Sequence, residues 1–543
     1  MLPIAKIARQ LGLSPSALEL YGPHIAKIRL QALRQHRRPH GQLINITSIT
    51  PTPAGEGKTC TAIGLTQALG RLRKRVALCL REPSLGPLLG VKGGATGAGK
   101  ARVVPSEAIN LHFTGDIHAI GVAHNFLAAC VDNAIVQGNH LKLDPAGEPL
   151  RRAIDIPDRQ LRHIVSGLGG RSNGVPRESG FDITAASEIM AILALASDLD
   201  DLKQRLSRII VGYTKHGKPV RARELKIIGA LAVILKDALL PNLVQTLEGQ
   251  PALVHAGPFA NVSHGNSSIV ATQLALARSE YVITESGFGA DLGAEKFFDI
   301  VCPLARFRPD AAVVVVSLRA LKVHGGMAVA DAHRLNLAAL EQGLENLGRH
   351  LSIVERFRVP AVVALNRFPS DTRRELSLVQ RHVEQLGVPV AISEVVARGG
   401  WGGVTLARAV LETLRTQRSQ FRPLYGPSLA LREKIERIAC EVYGAAGVRF
   451  DRRAEEEVSR LERLGFRRLP VNIAKTQLSF TDDPAQKGAP TGWYLRVREV
   501  RVAAGAGFVI ALCGKTTFMP GLSQRPLAME LDVTSEGRVV GLA

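Results

Sequence analysis

Aromatic residues are scarce, making up 4% of the 543 residues with only two tryptophans and six tyrosines. A groove for single-stranded nucleic acid needs rings on which bases stack, interleaved with cations. The chain has many cations, 69 Lys and Arg against 48 Asp and Glu for a formal charge of +21. They are scattered, however, in short runs such as Arg71 to Arg75, Arg151-Arg152, Arg467-Arg468 and Arg34 to Arg38. No specific nucleic-acid partner is therefore expected. The excess charge suits solvated faces, helix ends and a field that attracts polyanionic small molecules.

Cysteine is also sparse. Cys60, Cys79, Cys130, Cys302, Cys440 and Cys513 form no C-x-x-C pair and have no neighbouring histidine, which excludes a zinc site of ordinary spacing and points to reduced thiols. No long apolar run reads as a membrane span, and the amino terminus lacks the apolar core of a secretory signal. No membrane partner and a cytoplasmic location are expected. Internal repeats and low-complexity linkers are absent as well, so the domains are expected to be compact.

What is present is 46% hydrophobic residues, enough for two to four domains. Ala, Leu, Val and Gly dominate, as in α/β proteins whose parallel strands are buried on both faces. At the amino end the pattern predicts a helix over Pro3 to Leu13, a short helix capped by Ser14 through Tyr21, and a basic helix to Arg38. From Leu43 to about Leu340 strands and helices alternate. Strands are expected at Leu43 to Ile49, Val76 to Leu80, Ala252 to Ala256, Tyr281 to Thr284 and Ala311 to Val316, with helices such as Cys60 to Leu72, Thr184 to Ala194 and Ile227 to Leu239. This predicts an α/β fold with a doubly wound parallel sheet over residues 1–345. A second, smaller α/β domain is expected over 346–455, with strands at Ala361 to Leu365 and Val388 to Ser393. After the helical stretch Ser428 to Gly465, an α+β domain over 456–543 is expected from the β-formers at Val471 to Leu478, Tyr494 to Ala503 and Phe508 to Leu512.

The most informative stretch is Thr50-Pro-Thr-Pro-Ala-Gly-Glu-Gly-Lys-Thr59, set between a strand and a helix. Gly55 and Gly57 let backbone N–H groups approach phosphate oxygens, Lys58 can bridge the terminal phosphates, and the Thr59 hydroxyl can hold Mg²⁺. Thr52 stands where G-x-x-x-x-G-K-[ST] has its first glycine. The expected nucleotide contacts are Thr52, Pro53, Ala54, Gly55, Glu56, Gly57, Lys58 and Thr59. A turn that merely joins strand to helix is the alternative. A second Gly-Lys-Thr, Gly514 to Thr516, has no following helix and reads as a turn.

Arg81, at the carboxyl end of its strand, can hold a carboxylate or acyl phosphate and stabilise a transferring phosphoryl group; an ion pair with Glu82 is the alternative. The glycine-rich loop Lys92 to Gly99 and His112 to His118 suggest a lid or substrate loop. His112, His118, His124 and Asp132 stand equally as core residues or site residues. Three further loops, around His264, Glu285 to Asp291, and Lys322 to His324, offer oxygens suited to Mg²⁺ or a monovalent cation, with Glu285 and Asp291 alternatively capping helices.

These motifs are collinear with one family. The chain resembles formate–tetrahydrofolate ligases from Glu19-Leu-Tyr-Gly through the loop at 50–59, Arg81 to Gly90, Asn110 to Ile120, Asn173 to Met190, Gly257 to Ser268, Thr284 to Asp299, Asn366 to Thr372, and Leu469 to Leu522. That family also lacks the first loop glycine. The resemblance implies ATP-dependent condensation of formate with tetrahydrofolate, giving 10-formyltetrahydrofolate, ADP and phosphate through formyl phosphate. It implies Lys58 and Arg81 as catalytic residues, Mg²⁺ at Thr59, activation by K⁺ or NH₄⁺, and a homotetramer. In the family two aromatic residues sandwich the folate ring. Phe368 matches one, but Val396 stands where the other, a tryptophan, is expected, so Trp401 is the candidate replacement. Lys100, Ala134 and Arg367 also depart from the family pattern. A member with altered acceptor specificity and a non-catalytic basic nucleotide-binding protein stand as alternative readings.

Overall fold

The computed structural model describes residues 1–34, 40–53, 55–90, 95–170 and 172–542. Ala54, most of the basic run ending at Arg38, and residues 92–94 of the glycine-rich loop lie outside the described residues.

Seven parallel strands form the centre of a twelve-stranded sheet, in the spatial order Pro251–Val254, Val76–Leu80, Tyr281–Glu285, Gln42–Ser48, Ala311–Val316, Ala361–Asn366 and Val390–Ser393. Val76–Leu80, Ala311–Val316 and most of Ala361–Asn366 are near-continuous Val, Leu and Ala, as a sheet covered on both faces favours, while Gln42–Ser48 buries Asn45, Thr47 and Ser48 as well. Ala311–Val316, for example, is buried at every position. Alternate residues serve opposite faces. Ile44, Ile46, Leu78, Val313 and Val315 pack with the helices Lys58–Arg71 and Val404–Thr416, whereas Leu43, Cys79, Val314 and Val316 pack with Ile269–Arg278 and Leu337–Arg356.

The sheet is not wholly parallel. Beyond Pro251–Val254 it turns antiparallel through Asn242–Thr246, which pairs with both Ala26–Ile28 and Ala101–Val104. The helix expected over Ser14 to Tyr21 is instead a turn, Pro15–Ala17, followed by the strand Leu18–Leu20, which pairs with Ala26–Ile28. Pro15 starts the turn, and the open sheet edge then captures Leu18-Glu-Leu. The strand expected to reach Ala256 stops at Val254, and Ala256 itself has a positive φ of 52°. The strands of the expected second α/β domain, Ala361–Asn366 and Val390–Ser393, extend this same sheet.

The stretch Ser428 to Gly465 is not one helical run. Helix Leu431–Arg437 continues as a wider turn to Val442, Gly444 takes a φ of 74°, and the strand Gly447–Phe450 intervenes before helix Arg452–Arg463. That strand joins Tyr494–Ala503, Phe508–Cys513 and Val471–Ala474 in a separate four-stranded sheet. Gly514 to Thr516 leaves Phe508–Cys513 as a turn, as its sequence context predicts.

One correction concerns membrane spans. Helix Asp116–Val136 is long and apolar enough to cross a bilayer by length and composition. It buries Ile120, Ala123, Leu127 and Val131 together with Asp116 and His124, and packs on helix Ile228–Leu235. Its apolar stripe is a core face, and the spread of polar residues along it hid its overall hydropathy.

Candidate functional site

The central strand Gln42–Ser48 ends at a loop that enters helix Lys58–Arg71 through Gly57, whose φ is 78°. The first N–H groups of a helix have no intrahelical partner and carry the positive end of its dipole, so they favour an anion. Gly57 is required twice over: its backbone is left-handed, and a β-carbon there would lie 2.0 Å from Nδ2 of Asn366. That Asn366 amide donates to the Glu56 carbonyl at 3.0 Å, tying the loop to the end of Ala361–Asn366, the next strand but one in the sheet. The absent first glycine is also accounted for. Thr52 donates its N–H to Oε1 of Glu56 at 2.7 Å and its hydroxyl to the same oxygen at 3.3 Å, so a carboxylate closes the loop from within. Burial pushes the Glu56 carboxyl up to about 7, against the opposing pull of Lys58 and the Thr52 hydrogen bonds.

Two buried histidines brace the loop from beneath. His324 donates from Nε2 to the Thr50 carbonyl at 2.8 Å, and His350 Nε2 lies 2.9 Å from the Thr50 hydroxyl. Burial lowers His324 to about 4 and His350 to about 3, so both are neutral near pH 7.

Lys58 donates to the Ser48 hydroxyl at 3.4 Å. Burial lowers its pKa, while the charges of Glu285 and Glu56 pull the other way. The Thr59 hydroxyl donates to Oε2 of Glu285 at 2.6 Å, and Arg81 reaches Oε1 of the same carboxylate at 3.5 Å and the Pro258 carbonyl at 3.4 Å. Thr59 and Arg81, expected from two separate segments of the sequence, thus meet at one carboxylate, whose charge also acts on Lys58. The reason is register: Glu285 closes the strand Tyr281–Glu285, which lies between the strands that lead to Thr59 and Arg81. Thr59, Arg81, Pro83, Phe259 and Glu285 line one cleft. The sequence left Glu285 undecided between cation ligand and helix cap, and its place at the end of the adjoining strand was the signal that would have decided it.

The other candidates disperse. His112 and His118 are exposed, whereas Asp116 between them is buried against Lys27 at 2.7 Å and accepts from Asn242 at 2.8 Å. His124 is buried on the Arg151 carbonyl at 2.9 Å, while Asp132 holds Arg152 and Arg177, so the two serve different contacts. Asp291 pairs with Lys475 and Lys322 with Glu375, each at 2.9 Å and buried. His264 is buried and neutral, lowered by burial to about 3. No group of three or more His, Cys, Asp or Glu suited to a metal occurs among the described residues.

Phe368 and Trp401 lie at opposite ends of the helix Lys58–Arg71. Phe368 follows Asn366 near the helix start and carries the Arg319 guanidinium over its ring at 4.4 Å. Trp401 is 63% exposed and sits under Arg71 in the last turn, at 4.7 Å. Fourteen helical residues separate Lys58 from Arg71 inclusive, about 20 Å at the α-helical rise. Arg367, next to Phe368, pairs with Glu394 at 2.9 Å, and Val396 is 39% exposed.

A large, mainly parallel sheet with helices on both faces, and a polar cleft at the carboxyl ends of its strands, define the class: an α/β protein with a ligand site where open sheets of this kind place one. The family model for formate–tetrahydrofolate ligase matches residues 1–543. The chain is 55% identical over 542 residues to the formate–tetrahydrofolate ligase of Symbiobacterium thermophilum, covering 99% of this chain and 97% of that one. The chain belongs to the formate–tetrahydrofolate ligase family.

Proposed function

We propose that this protein uses ATP to ligate formate to tetrahydrofolate, giving 10-formyltetrahydrofolate, ADP and phosphate through formyl phosphate. The observation that carries the reading is the meeting of Thr59 and Arg81 in one cleft, with Lys58 beside Thr59 at the start of the same helix, in a chain that belongs to this family over its whole length. Formate is a poor acylating agent because hydroxide would have to leave, and phosphorylation gives it a good leaving group. The phosphate-binding loop, Thr52 to Thr59, holds the triphosphate on the N–H groups at the helix start. Lys58 neutralises the charge of the transferring phosphoryl group, and Arg81 holds the carboxylate and then the acyl phosphate by its planar fork. The Thr59 hydroxyl, held by the Glu285 carboxylate, is an oxygen suited to Mg²⁺. When bound, Mg²⁺ supplies charge neutralisation at the phosphates.

Tetrahydrofolate is assigned to the strip from Phe368 past Val396 to Trp401. Phe368 stacks one ring, and Trp401 serves as a far contact for the extended molecule, since the length of the helix prevents it from facing Phe368 across the same ring. On this reading residues 1–345 handle nucleotide and formate, 346–455 carry the folate site, and 456–543, joined by the strand Gly447–Phe450, form the C-terminal α+β domain. Activation by K⁺ or NH₄⁺, a homotetramer and a cytoplasmic location belong to the proposal on the family resemblance and composition alone. The test measures ADP release with Mg-ATP and K⁺, with formate and tetrahydrofolate together and each omitted, beside a direct assay for formylated folate. Dependence on both substrates with formylated product supports the proposal. Formate-dependent ADP without formylated folate would indicate a changed acceptor, and no ADP release would overturn the reading.

A further inference from the structure

Glu285 is the residue on which the site converges, and neither the loop motif nor the family match assigns it a role. It is 6% exposed, and its two carboxylate oxygens meet different groups: Oε2 accepts from the Thr59 hydroxyl at 2.6 Å and Oε1 faces Arg81 at 3.5 Å. One partner belongs to the phosphate loop and the other to the neighbouring strand end, so a single rigid strand sets the direction of both groups. Its backbone is fixed on both sides, pairing in register with Ile46 on one strand, while Thr284 just before it pairs with Cys79 on the other. The Arg81 guanidinium is further confined by the Pro258 carbonyl at 3.4 Å and by Gly287, where a β-carbon would lie 3.0 Å from its NH1. Arg81 thus lines the same cleft as Thr59.

We propose that Glu285 is a positioning residue that couples the two halves of this site, orienting Thr59 for the nucleotide-bound cation and Arg81 for the formyl group. This rests on the function proposed above. Because the carboxylate acts through two different partners, its two oxygens can be tested separately. Glu285→Gln keeps an oxygen for the Thr59 hydroxyl but turns an amide NH₂ toward Arg81, where attraction is lost. Glu285→Ala removes both contacts.

The experiment measures ADP affinity with and without Mg²⁺ by calorimetry, and KM for formate in the full reaction, for the wild type and both variants. Melting temperature and Mg²⁺-free ADP affinity serve as controls for folding. In Glu285→Gln the formate KM should rise by at least about tenfold, while the strengthening of ADP binding by Mg²⁺ changes by less than about threefold. In Glu285→Ala both should suffer, with the Mg²⁺ effect reduced by at least about tenfold. The proposal is overturned if Glu285→Ala leaves both quantities unchanged, or if Glu285→Gln disturbs them equally. It is also overturned if the losses appear only together with lost Mg²⁺-free ADP binding, as a merely structural role would produce. The calorimetric arm does not require formylation, so a wild type that makes no formylated folate would refute the proposed function while still reporting on Glu285 and Thr59.

Discussion

Replacing Gly57 by alanine tests how the phosphate loop is held, because two separable costs fall on one position. The first is backbone strain: with φ at 78°, an L-residue is penalised by about 1–2 kcal/mol. The second is a collision, since the new β-carbon would stand 2.0 Å from Nδ2 of Asn366. The amide must swing away, and its 3.0 Å hydrogen bond to the Glu56 carbonyl is lost, at about 1 kcal/mol. Gly55 supplies the control. Its φ is 76°, yet a β-carbon there meets nothing within 4 Å, so Gly55→Ala should cost only the strain of about 1–2 kcal/mol. Urea melts of both variants should therefore differ by about 1 kcal/mol, with Gly57→Ala the less stable. In an Asn366→Ala background the collision is removed, and the Gly57 penalty should fall to that of Gly55, a non-additivity expected only of residues in contact. Equal losses in the two single variants, or an unchanged Gly57 penalty without Asn366, would refute the claim that Asn366 fixes the loop.

Three further outcomes follow from buried or exposed side chains elsewhere. Burial pushes the Glu188 carboxyl up from 4.5 to about 7, against hydrogen bonds from the N–H groups of Gly505 and Ala506. Between those pH values the folded state holds a proton that the unfolded state lacks, so stability falls as pH rises, by on the order of 3 kcal/mol in all. Glu188→Gln should flatten that slope, and urea melts from pH 4 to 8 with parallel slopes in both proteins would refute the assignment. Lys322 and Glu375 form a pair with 1% exposure on each side chain, so Lys322→Met should cost about 3–5 kcal/mol and Lys322→Met with Glu375→Leu much less; equal melts of the single and double variants would remove the argument. Trp401→Ala should raise the tetrahydrofolate KM about fivefold, the equivalent of about 1 kcal/mol of lost aromatic contact, without changing that for ATP, and an unchanged folate KM would sink the assigned strip.

The sequence by itself determined the strands whose burial on both faces leaves a continuous apolar run. Val76–Leu80 and Ala311–Val316 lie at their predicted residues, and so does Tyr494–Ala503, whose alternating pattern buries one face only. It also marked Gly57, Lys58, Thr59 and Arg81, because a phosphate site needs backbone approach, a cation and a strand-end position, all of which are local properties. Composition along the chain did not specify which strand lies beside which. Strand order placed Glu285 between the ends that carry Thr59 and Arg81, and converted an undecided carboxylate into the centre of the cleft. Strand order likewise carried Ala361–Asn366 into the main sheet, bringing Asn366 to the loop. The edge strand Leu18–Leu20 and the division of Phe368 from Trp401 were equally tertiary matters. Three residues pair as a strand only when a partner edge is at hand, and the two rings stand apart because their loops meet opposite ends of the helix Lys58–Arg71.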